Sequence, residues 1–119
     1  MPNDCWNHMT IVASEEELPQ ILNDQRFKDA PDWALKIKHI GVRGAILDLW
    51  SRWNPDYEWM EGLIEKYPSV WIKDQWTEQG GNAGVWIGSR KTGEKVIQGL
   101  EWEDMCIEEQ ADVFETKDK

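Results

Sequence analysis

A strand–helix–strand pattern written twice in succession is the feature that most restricts what this chain can become. The first copy opens with His8-Met-Thr-Ile-Val-Ala-Ser14, a β-branched, apolar run that ends at a small polar residue and predicts a buried strand. Ser14 followed by Glu15, Glu16 and Glu17 has capping-box spacing, and the carboxylates favour a helix start. Leu18, Ile21 and Leu22 give that helix an apolar face, with Pro19 near its beginning. Residues 24 to 32 are polar, include Pro31 and read as a loop. Ala34 to Ile40 then alternates, with Leu35, Ile37 and His39 on one side and Lys36 and Lys38 on the other, until Ile40 breaks the phase.

The second copy follows a turn at Gly41-Val-Arg-Gly44. Residues 45 to 53 place Ala45, Leu47, Leu49 and Trp53 on one face of a strand and Asp48 and Arg52 on the other. Asn54-Pro55-Asp56 starts a helix whose face is Met60, Leu63, Ile64 and Tyr67, and Pro68 stops it. Residues 69 to 78 form a strand with Val70, Ile72 and Trp76 opposite Trp71, Lys73, Gln75 and Thr77. Gln79-Gly80-Gly81-Asn82 is turn chemistry, residues 83 to 88 return antiparallel, and Glu94 to Trp102 supply a further strand.

This order predicts an α+β protein, a ferredoxin-like split β-α-β sandwich with an antiparallel sheet and two helices on one face. At 119 residues the chain has room for one core. The expected division is a single domain over residues 1–104 and an acidic C-terminal segment over 105–119. Nine tryptophans exceed what the interior of so small a domain takes, so some belong on the sheet face that carries no helices. Among those on the predicted strands, Trp50, Trp71 and Trp86 are assigned to that outer face.

Thirteen basic residues against 23 acidic ones leave a net charge of −10. That balance repels nucleic acid phosphates and anionic membranes, and suits either high solubility or a partner with a basic surface. The absence of a spanning-length apolar run or a leader pattern predicts a cytoplasmic chain with no membrane contact, and two cysteines fit a reducing compartment.

Little in the sequence points to catalysis. Cys5 and His8 have a C-x-x-H spacing that His39 or Cys106 would have to complete, but a structural zinc site needs four recognisable ligands, so no metal and no cofactor are expected. Gly80-Gly81 lacks the lysine that follows in a phosphate-binding loop, and neither histidine sits in a general-base setting. The expectation is that the chain is not an enzyme.

The opening Pro2-Asn3, Cys5 and Asn7 before Met-Thr-Ile, then Trp50-Ser-Arg-Trp-Asn-Pro55, Lys66-Tyr-Pro68 and Trp76-Thr-Glu-Gln-Gly-Gly81 to Gly84, resemble the YubB-like ferredoxin-like domains of plasmids and bacteriophages. The similarity spans most of residues 1 to 88, with Asp4 where the family has tryptophan. It implies the same fold and a mobile-element origin, in a family whose function is unassigned. The resulting expectation is a small acidic accessory protein that binds a host protein with a basic surface through Trp50, Trp71, Trp86, Glu101, Glu103 and Asp104. Inhibition of a host defence or nucleic-acid enzyme is its sharper form. A homodimeric accessory protein and a nucleotide or sugar binder are the alternatives.

Overall fold

The computed structural model describes residues 4–90 and 95–102, the last two of these by their backbone alone. Its frame is one antiparallel sheet of six strands in the order β2-β3-β1-β4-β5-β6. The strands are β1 (Asp4–Val12), β2 (Leu35–Ile40), β3 (Gly44–Arg52), β4 (Trp71–Glu78), β5 (Ala83–Ser89) and β6 (Val96–Trp102). Two crossovers, β1 to β2 and β3 to β4, carry the helices, and both lie on the same side of the sheet. This α+β arrangement is compatible with a split β-α-β sandwich.

Strict alternation sorts the strands onto two faces. Cys5, Asn7, Met9 and Ile11 of β1 point to the helices, as do Ala45, Leu47, Leu49 and Ser51 of β3, and all eight are buried. Beneath the helices Met9, Ile11, Leu47, Leu49 and Ile72 form one cluster with Leu18, Ile21, Met60, Leu63 and Ile64. The other face is bare of helices.

The first crossover is broken into α1 (Glu17–Leu22) and α2 (Gln25–Asp29). Pro19 falls in the first turn of α1, where its missing N–H costs nothing. Ser14 behaves as the capping box requires, its Oγ accepting from the Glu17 N–H at 3.2 Å. The reciprocal half does not close on Ser14. Instead the Glu17 carboxylate accepts from the backbone N–H and the hydroxyl of Ser69, and Ser69 Oγ accepts from the Ser14 N–H. The cap is thereby also a tie to the residues that lead into β4.

The expected loop at 24 to 32 contains α2. Asp24 makes that helix, since its Oδ1 accepts from the Arg26 N–H at 2.9 Å and from Trp59 Nε1 at 3.0 Å on α3 (Tyr57–Lys66). Phe27 meets Trp59 edge-on at 5.2 Å, and Arg26 donates to the Trp50 carbonyl and to Asp56. Asp24→Ala removes both bonds and should cost about 1–2 kcal/mol in a denaturant melt; an unchanged midpoint would mean that the cap is idle.

Three further expectations change. The phase break in β2 is a β-bulge between Ile37 and His39, so His39 pairs with Ile46 on the open face rather than lying beside Leu35 and Ile37. Trp53 is not part of β3; it follows the strand in a left-handed conformation with φ 72°, and Ser51 holds the inward position. Trp86 lies on the helix side, 5% exposed, and is not an outer-face residue.

The burial of Trp86 and Trp76 depends on two glycines. A Cβ on Gly84 would stand 2.7 Å from Trp76 ring atoms and from the Leu100 carbonyl, and one on Gly88 would meet Trp86 and Ile64. Each indole therefore lies against a strand position that has no side chain.

Candidate functional site

Cross-strand register turns the open face into a grid of rows. One row runs Trp50, Trp6, Thr77 and Ala83, and the next runs Lys36, Asp48, His8, Gln75, Val85 and Leu100. A third runs His39, Ile46, Thr10, Lys73, Ile87 and Gln98, and a fourth contains Val12, Trp71, Ser89 and Val96. Trp6 and Trp71 thus stand at opposite ends of the face, about 20 Å apart at ~6.7 Å per row.

Trp6 is 45% exposed at one end of this surface. Beside it Trp50 is held in place: its Nε1 donates to Asp4 Oδ1 at 2.8 Å, and its ring meets Trp33 edge-on at 5.1 Å. Trp33 is itself 62% exposed. Three indoles are therefore gathered at one end of the neighbouring strands β3 and β1, and only one of them, Trp50, is mostly covered. Leu100 and Val96 of β6 add exposed apolar surface at the far side.

Next to Trp6 a cleft of about 460 Å³ is lined by His8, Asp48, Gln75, Thr77 and Val85. His8 Nδ1 lies 2.8 Å from Asp48 Oδ1, and Lys38 Nζ lies 3.0 Å from Asp48 Oδ2. Partial burial works against the ionised form of Asp48, but hydrogen bonds from His8 and Lys38 outweigh it and hold the carboxyl below its usual range. A carboxylate only accepts, so the His8 proton sits on Nδ1 and the ring orientation is set. The bulge in β2 makes this possible, because the extra residue it accommodates is Lys38. The arrangement fixes an imidazole edge beside an exposed indole, which suits recognition of a ligand that offers both an apolar body and polar groups.

The charges of this face oppose those of the whole chain. Lys36, Lys38, Arg52 and Lys73 point outward with His8 and His39, against Asp4 and Asp48. No ion pair engages Lys36 or Lys73 among the described residues. The helix side carries the opposite sign, with Glu15 and Glu16 ahead of α1 and Glu58, Glu61 and Glu65 on α3.

No protein-family model, curated protein or solved structure matches this chain.

Of the residues expected to bind a partner, Trp50 and Trp71 lie on the open face and Trp86 does not. The Glu101 side chain, Glu103 and Asp104 fall outside the described residues, as does Cys106. Cys5 and His8 project from opposite faces of β1 and cannot share a ligand. Burial pushes the Cys5 thiol up to about 11, which makes it a poor nucleophile. No helix among the described residues is long and apolar enough to cross a membrane.

Sequence reading missed Trp6, although it alternates with inward-facing Cys5 and Asn7 and so had to point outward. It also missed the inward carboxyl of Asp74. That group is 1% exposed, and burial alone lifts it to about 8. Neither of its oxygens has a hydrogen-bond partner among the described residues, nor do the neighbouring Asn7 Oδ1 and Trp76 Nε1.

Proposed function

We propose that this chain is a protein-binding module, not an enzyme, and that it engages its partner through the helix-free face with Trp6 as the principal anchor. The observation that carries this reading is the nearly half-exposed Trp6 beside a braced Trp50 and an exposed Trp33. Tryptophan with arginine and tyrosine dominates the energetics of protein interfaces, and a large exposed aromatic cluster on a small domain marks a contact surface. We read the first four strands as a ferredoxin-like sandwich extended by β5 and β6, and their order β2-β3-β1-β4 supports that reading. The likeness to YubB-like domains adds a bacterial host protein as the natural class of partner.

Capture from a bacterial lysate tests this. Wild-type chain is expected to retain a specific protein that Trp6→Ala loses by at least about ten-fold, the size of a hot-spot truncation. Trp6 is on the surface, so the variant should keep its circular dichroism spectrum. Identical capture by the two proteins would remove the sheet face as the binding surface.

A further inference from the structure

We infer that the partner meets this face with an acidic segment rather than the basic surface that the overall charge suggests. This rests on the open sheet face being the binding surface, and adds the chemistry of what lies on it. Lys36 and Lys38 come from β2 and stand at the end of the row that holds Asp48, His8 and Gln75, and Lys73 of β4 stands in the next row, two residues along the strand from Gln75. The one carboxylate in that row, Asp48, is already engaged by His8 and Lys38. Lys36 and Lys73 have no ionic partner among the described residues and sit on the same surface as Trp6, Ile46, Val85 and Ile87.

A ligand with apolar side chains for these residues and carboxylates for the two lysines satisfies both features. A basic partner would leave the lysines facing like charge, which a specific interface avoids. It would be matched instead by the carboxylates of the helix side. The sheet is about 24 Å wide at ~4.8 Å per strand gap, so an extended segment of about eight residues spans it.

The test uses the full chain and three probes: a peptide of about ten residues alternating glutamate and leucine, its lysine–leucine counterpart, and an oligodeoxythymidine of similar length. The acidic peptide is expected to bind at least about ten-fold more tightly than the basic one, and to weaken by at least about ten-fold in Lys36→Glu/Lys73→Glu and on raising salt from about 50 to 300 mM. Equal or tighter binding of the basic peptide overturns the inference, as does an acidic peptide indifferent to the double variant. Tighter binding of the oligonucleotide than of the acidic peptide would replace a protein partner with single-stranded nucleic acid. A dimer in light scattering that the double variant dissolves would replace it with a second copy. The two levels separate cleanly: if Trp6→Ala abolishes lysate capture while Lys36→Glu/Lys73→Glu does not, the binding face stands and only its acidic partner falls.

Discussion

Asp74→Asn should stabilise this protein by about 2–4 kcal/mol at pH 7, raising its melting temperature by at least about 8 °C. The carboxyl is 1% exposed, lies between Met9 and Trp86 in the sheet, and has no hydrogen-bond partner among the described residues. Burial raises it from 3.8 to about 8, so the folded chain holds a proton there that the unfolded chain releases above pH 4. Folding therefore takes up a proton between the two values. The favourable contribution is complete below pH ~4, shrinks by up to about 1.4 kcal/mol per unit as pH rises toward 8, and is constant above it. Asparagine has no proton to lose. Melts from pH 4 to 9 should show the parent falling away from the variant, with the two curves meeting at the acid end. A variant less stable than the parent at neutral pH would mean that Asp74 has a stabilising role as an anion.

The second large effect is the reverse in sign. Gly84→Ala should destabilise by about 2–3 kcal/mol, since its methyl would overlap both the Trp76 ring and the Leu100 carbonyl. A flexible side-chain tip yields to such a group, but one of the obstacles here is the backbone of β6. The loss should therefore include the β5–β6 pairing, and amide exchange at Val85 to Gly88 and across β6 is the measurement that reads it. Unchanged protection of β6 would show that the indole alone moves aside.

The legible part of the fold was the part with a clear period. Alternation located β4 and set Ile72 and Trp76 opposite Trp71, Lys73, Gln75 and Thr77, and the spacing of Met60, Leu63 and Ile64 located α3, because each signal comes from many residues at once. What escaped was carried by single residues. Asp24 turns a polar stretch into α2 by accepting two hydrogen bonds, one of them from a tryptophan 35 positions along the chain. The bulge in β2 reverses the face of His39, and nothing local announces it except the misplaced Ile40. Trp86 shares the parity of Gly84 and Gly88 and so lies inside, against its assignment to the outer face; only the empty side-chain positions of those glycines reveal why two indoles fit there.

The site was half visible for the same reason. A count of tryptophans predicts that some are exposed, and strand parity alone assigns Trp6 outward. That Trp50 is braced by Asp4 and Trp33, and that His8, Asp48 and Lys38 meet, depends on register between strands distant in sequence. Net charge misleads most. It averages over a molecule whose described carboxylates crowd the helix side while Lys36, Lys38 and Lys73 stand on the open sheet face.

The bulge at Lys38 also governs how the sheet ends. β2 is its outermost strand on that side, and a regular, apolar edge would offer another polypeptide a ready row of hydrogen-bonding groups. Here the row is interrupted mid-strand and bordered by two ammonium groups, Lys36 and Lys38. Growth of the sheet into a continuous fibre is blocked at that border, so a chain that leaves one broad face uncovered remains protected against strand-by-strand aggregation along this edge.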